Sequence, residues 1–119
     1  MMIKYNNDTE TGEMLRLLRV ITVNPKMTQR ELSTSLGLSL GKINVLIKAM
    51  IGKGFIKAVN FKNSNNKIAY LYYLTPKGIE EKSIITYHFL KRKLAEYERL
   101  ENEIRQLEKE VNSNQLSVS

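Results

Sequence analysis

Lys42, Asn44, Val45 and Lys48 are the residues of this chain whose chemistry is easiest to name. An asparagine carboxamide can pair bidentately with adenine, lysine donates to a base edge or a phosphate, and a valine methyl can touch the methyl of thymine. Spacing decides whether they act together. Stepping about 100° per residue from Ile43 places Leu40, Leu46, Ile47, Met50 and Ile51 within about 80° of it, as the core face of a helix. Gly41, Val45, Lys48 and Gly52 then fall at the centre of the opposite face, flanked by Lys42, Asn44 and Ala49. That outer face is free of acid and slim apart from Lys48, as a helix entering a DNA major groove needs to be. Ser39 is a good N-cap, and the free N–H groups near Ser39 and Leu40 can meet a phosphate. An ordinary helical hairpin with a wetted outer face fits the same pattern.

A second polar cluster, Lys62-Asn63-Ser64-Asn65-Asn66-Lys67, is small and flanked by lysines. It suits a loop lying along a phosphate backbone or in a minor groove, and it is also simply a good turn. Other chemistries lack their parts. With no cysteine there is neither a disulfide framework nor a thiolate metal site, and a reducing compartment is compatible with the chain. The single His88 has no second His or Cys to share a metal, and no Ser/His/Asp set, phosphate-binding Gly loop or metal-spaced carboxylate cluster appears. No enzyme, cofactor or metal is expected.

Charge points the same way as the two clusters. Residues 1–75 hold 11 Lys and Arg against 4 Asp and Glu, whereas residues 76–119 hold 8 of each, so the whole excess of +7 belongs to the first part. No acid lies between Glu31 and Glu80, while Lys42, Lys48, Lys53, Lys57, Lys62, Lys67 and Lys77 recur through that span. Such a one-signed field suits a polyanion.

The elements that must carry these residues follow from local signals. Met14, Leu17, Leu18 and Ile21 have the spacing of one helical face, and Asn24-Pro25 ends that first helix, which begins near Thr9 to Gly12. Thr28-Gln29-Arg30-Glu31 is a capping box that opens a short second helix, with Leu32 and Leu36 as its apolar edge and Gly37 as its left-handed stop. The third helix runs from Ser39 to about Lys53, with Gly54 as its stop. Phe55 to Lys62 and Ile68 to Leu74 read as two strands of a hairpin. Thr75-Pro76 restarts helix as cap and first residue, and no later proline interrupts it before about Val111. A turn of three residues, Gly37-Leu38-Ser39, with Leu38 tucked inward, makes the second and third helices a helix-turn-helix. With a basic-tipped hairpin directly after it, the whole describes a winged helix in which Lys26 to Thr28 supplies a short third strand. The fold class expected is α+β, mainly α.

Thr28 to Leu46, "KGFI" at Lys53 to Ile56 and "YYLTPKG" at Tyr72 to Gly78 resemble the winged helix-turn-helix core of MarR-type bacterial transcription regulators, and most of all a short subgroup associated with exopolysaccharide gene clusters. The resemblance spans roughly Met14 to Val111. It implies a dimeric repressor or activator bound to an operator, with Ser39 to Lys53 as the recognition helix, Lys42, Asn44, Val45 and Lys48 facing bases, and Lys62 to Lys67 as the wing. Thr28, Gln29 and Arg30 join the expected DNA-facing set. Typical members have an extra N-terminal helix and two C-terminal helices that build the dimer interface and a cleft for phenolic effectors. Here one long helix follows the wing, so no effector-binding residues are assigned.

That long helix carries Tyr97, Leu100, Ile104, Leu107 and Val111 in steps of three and four, the seam of a coiled coil, with Leu90 and Leu94 continuing the stripe upstream after a register shift. Packing against the chain's own core accounts for Ile79, Ile84, Tyr87 or Phe89, and the seam beyond them is expected to join two copies. The organisation expected is a DNA-binding domain over 9–75, a dimerisation helix over 76–112 and a disordered tail over 113–119. MMIKYNNDTE has no basic region followed by an apolar segment, and no apolar run approaches about 18 residues, so a cytoplasmic protein with no membrane partner is expected. Two other readings remain open: sequence-independent architectural DNA binding, and a winged helix used as a protein-interaction module.

Overall fold

The computed structural model describes residues 8–118, with side chains placed over 9–114. The expectations for the first seven residues and for Ser119 lie outside that range. In order, the elements are α1 (Asp8–Val23), α2 (Gln29–Leu36), α3 (Leu40–Gly52), β1 (Ile56–Lys62), β2 (Ile68–Leu74) and α4 (Pro76–Val118). Two compact units divide the chain, one through Thr86 and one from Tyr87 onward.

In the first unit, Leu17, Leu18 and Ile21 of α1 are buried with Leu32 and Leu36 of α2 and Ile43, Ile47 and Met50 of α3. Each such side chain contributes roughly 1.5–3 kcal/mol by leaving water. The expected core face of α3 is too wide. Leu40 and Ile51 are 43% and 42% exposed, because they lie at one margin of the arc, about 60° and 80° from Ile43, where the packing against neighbouring elements has ended. Arg16 of α1 ties the helices further by donating through Nη2 to the Leu36 carbonyl at 2.7 Å.

β1 and β2 pair antiparallel, Ile56 opposite Leu74 and Lys62 opposite Ile68. The sheet has two strands, so the third strand expected from Lys26 to Thr28 is corrected. Asn24 Oδ1 accepts from the Lys26 N–H at 3.2 Å, closing a turn around Pro25, and helix begins at Gln29. That leaves no extended run to pair. A backbone bond from the Tyr72 N–H to the Pro25 carbonyl, 2.9 Å, stands in its place.

The two segments singled out as KGFI and YYLTPKG meet. The Thr75 N–H bonds the Phe55 carbonyl at 3.0 Å, the Thr75 hydroxyl donates to the Gly54 carbonyl, and Thr75 Oγ1 accepts from the Gly78 N–H at 3.0 Å, capping α4. Gly78 is there for closeness: a Cβ on it would lie 2.0 Å from the Phe55 carbonyl oxygen. Ile85, about two turns further along α4, is fully buried. The first unit therefore runs past the boundary expected at 75, and of the residues expected to fill its core Ile79, Ile84 and Tyr87 are exposed, while Phe89 is half-buried. The helix also continues to Val118 rather than ending at 112, since no Gly or Pro follows Gly78 to stop it.

Candidate nucleic-acid interface

Local signals position α3 as its sequence demands. Thr28 caps α2, its hydroxyl oxygen accepting from the Glu31 N–H while the Glu31 carboxylate accepts from the Thr28 N–H, both at 3.1 Å. Gly37 takes the left-handed conformation at φ 67°, and its N–H returns to the Ser33 carbonyl. Ser33 adds a lock that the sequence did not announce. Its carbonyl also accepts from the Leu38 N–H at 3.1 Å and its hydroxyl donates to the Leu38 carbonyl. The turn is thereby fixed through half-buried Leu38, and Ser39 caps α3 by accepting from the Lys42 N–H at 3.1 Å.

On α3, Gly41, Val45 and Lys48 are exposed, Val45 at 61%, and Ser39 and Leu40 stand open beside them at the N-terminus. Two flanking residues are not free. The Lys42 ammonium turns toward α1 and pairs with Glu13 at 3.5 Å. Asn44 is half-buried and donates through Nδ2 to Gln29 Oε1 at 3.2 Å, and Gln29 Nε2 donates to the Tyr72 hydroxyl at 3.2 Å. Gln29 and Asn44, both expected to face DNA, are thus parts of one array that reaches strand β2. Tyr72 was not foreseen as part of it. Its sequence neighbours are tyrosine and leucine, and only pairing of the strands shows which tyrosine turns inward. Arg30 is exposed on α2.

The wing is built by its own asparagines. Asn63 and Lys67 close the tip, the Asn63 N–H bonding the Lys67 carbonyl at 2.9 Å, and Asn66 takes a left-handed φ of 59°. Asn63 Oδ1 accepts from the Asn65 and Lys67 N–H groups at 2.9 and 3.1 Å, so this side chain organises the turn from within. Lys62, Ser64, Asn65, Asn66 and Lys67 are exposed.

In the second unit, Leu90, Leu94, Tyr97, Leu100, Ile104, Leu107 and Val111 are each 46% to 63% exposed. They form an apolar stripe with a shift of register between Leu94 and Tyr97. The first unit also has an open crevice lined by Leu15, Ile21, Tyr73 and Ile79, with Arg19 and Lys82 at its edge. Sequence reading assigned no residue to such a feature, since its lining comes from three separate elements. Among the described residues no single helix is long and apolar enough to cross a membrane.

Residues 14–57 match a winged helix-turn-helix DNA-binding family. No curated protein matches the chain. Among solved structures it is similar to a PadR-like transcriptional regulator of Bacillus cereus, with 22% identity and a TM-score of 0.66 over 73% of this chain and 89% of that one. It is also similar to MarR of Staphylococcus aureus, at 24% identity and a TM-score of 0.55, covering 69% of this chain and 53% of that one, a structure holding salicylate and kanamycin. FabT of Streptococcus pneumoniae, solved in complex with DNA, is matched at 21% identity and a TM-score of 0.52 over 71% of this chain and 57% of that one. With three helices, a two-stranded hairpin and a long C-terminal helix, the chain has the winged helix-turn-helix fold found in these regulators.

Proposed function

We propose that this chain is a sequence-specific, DNA-binding transcription regulator that acts in the cytoplasm as a homodimer on a pseudo-palindromic site. The observation that carries this reading is the outer face of α3, where Gly41, Val45 and Lys48 are exposed with no acid among them and a basic wing follows. In this reading α3 enters the major groove, its N-terminus at Ser39 and Leu40 meets a phosphate, and Lys62 and Lys67 follow the adjacent backbone. The apolar stripe of α4 joins two copies, which supplies two recognition helices to two half-sites about one DNA turn apart. Control of exopolysaccharide genes is supported by the sequence resemblance.

One observation favours the architectural reading instead. With Lys42 paired to Glu13, few long donors remain on a face otherwise made of short side chains. Gel shifts on genomic fragments at rising salt separate the two. Steep salt dependence with one strongly preferred fragment supports the regulator, equal retention of all fragments supports the architectural protein, and no retention at low salt overturns both. Lys62→Ala should weaken binding to every sequence and lower the salt slope by about one.

A further inference from the structure

We infer that Gln29 and Tyr72 are positioning residues that set which base Asn44 selects, an inference that rests on the DNA-binding reading above. A carboxamide carries its donor and its acceptor on opposite ends. Once Gln29 Nε2 is committed to the Tyr72 hydroxyl, Gln29 Oε1 is the end left for Asn44, and Asn44 must meet it with Nδ2. What Asn44 then offers is Oδ1 and its second N–H, the pair that matches N6–H and N7 of adenine.

The anchor of the array is rigid. Tyr72 is only 5% exposed, its N–H is bonded to the Pro25 carbonyl at 2.9 Å, and its ring stacks on Tyr70 at 6.1 Å between centroids and 16° between planes. The array crosses three elements, β2, α2 and α3, and so ties the base of the wing to the reading helix. Run in reverse, with the hydroxyl donating to Gln29 Oε1, it would turn the NH2 of Asn44 outward, toward an acceptor edge such as that of guanine. The tyrosine hydroxyl can accept or donate, and it is the direction held here, with the hydroxyl accepting from Gln29 Nε2 and Gln29 Oε1 accepting from Asn44 Nδ2, that favours adenine.

Tyr72→Phe removes that hydroxyl and keeps the ring. The test selects duplexes from a random-sequence pool with the full chain and with Tyr72→Phe, Asn44→Ala and the double variant. The wild type is expected to select adenine at one position of each half-site. Asn44→Ala should abolish that selection, and Tyr72→Phe should weaken it about five- to ten-fold with unchanged affinity for random duplex. The double variant should match Asn44→Ala alone. Gln29→Ala, which breaks the array at a half-buried residue and leaves the Tyr72 side chain whole, should weaken adenine selection to the same extent, and keeps the test decisive where Tyr72→Phe does not fold.

Selection of guanine at that position, unchanged selection by Tyr72→Phe, or an effect of Tyr72→Phe that persists without Asn44 would each overturn the inference. The Asn44 side-chain NH2 signals in the free protein give a readout that needs no DNA, and Tyr72→Phe should shift them. If the wild type retained no duplex, the DNA-binding reading would fail and this inference with it, while a shift of those signals would still show that the array exists.

Discussion

Lys42 and Lys48 stand on the same helix, yet they are placed differently. Lys48 is exposed at the centre of the outer face of α3, whereas Lys42 gives its ammonium to Glu13, whose side chain is only 15% exposed. The pair is long, at 3.5 Å, and its Lys42 side chain is 42% exposed, so it contributes little to stability. Its consequence lies in competition, since a phosphate and the Glu13 carboxylate need the same ammonium. Glu13→Gln should therefore tighten binding to random duplex several-fold at low salt and raise the salt slope by about one, with the melting temperature nearly unchanged. Fluorescence anisotropy at several salt concentrations measures both quantities, and an unchanged slope would show that Lys42 is already available. The residue types on this face were legible in the sequence because the helical period sorts them. The withdrawal of Lys42 was not, because Glu13 belongs to another helix.

Among the elements, α4 carries the sharpest expectations. Gly78 sits in its first turn, where Gly→Ala would ordinarily stabilise a helix by up to about 1 kcal/mol. Here the added Cβ would meet the Phe55 carbonyl oxygen at 2.0 Å, and backbone on both sides cannot yield as a flexible side chain would. Gly78→Ala should instead destabilise the first unit by about 3 kcal/mol or more, lowering the melting temperature by over ~10 °C. The sign of the change is the test. In the sequence this glycine looks like a helix break, and only the approach of the Phe55 backbone shows it to be a packing requirement.

The stripe further along the same helix has its own signature. With Tyr97, Ile104 and Val111 at the a positions and Leu100 and Leu107 at d, the flanking e and g positions are Glu96, Glu101, Glu103, Glu108 and Glu110. Paired with a second copy in either direction, carboxylates face carboxylates. Apolar burial must overcome that repulsion, and salt screens it over about 10 Å at 0.1 M. Sedimentation should show α4-mediated association strengthening between about 0.05 and 0.5 M salt. Weakening across the same range would mean that a different surface joins the copies.

At the scale of the whole molecule, the proposed function predicts that the two units should respond to salt with opposite signs. The first, through Thr86, holds 13 Lys and Arg against 6 Asp and Glu, and the second holds 6 of each. DNA retention by the first unit should fall steeply as salt rises, while pairing through the second tightens. Ending the chain after Glu96 removes most of the apolar stripe and should leave monomers that still bind single half-sites. Their affinity for a two-half-site duplex should drop by a factor of roughly 10² or more, through the loss of linkage between two binding events. Equal affinity of the full and shortened chains would remove α4 from DNA recognition.

The sequence by itself determined the order of the four helices and the hairpin, though not the absence of a strand at Lys26 to Thr28, together with the caps at Thr28, Ser39 and Thr75, the stop at Gly37 and the acid-free outer face of α3. All of these rest on residues within one or two turns of each other, where a capping hydroxyl or a helical period acts without help from the rest of the chain. Only the tertiary structure decided what that face can offer. The Gln29 to Tyr72 bond spans 43 positions and the Asn44 to Gln29 bond 15, and the Glu13 to Lys42 pair and the Gly78 to Phe55 approach likewise join separate elements. No periodicity encodes such contacts. They exist because packing brings distant backbones to fixed distances, and that is what turns the Asn44 carboxamide in one direction and draws Lys42 aside.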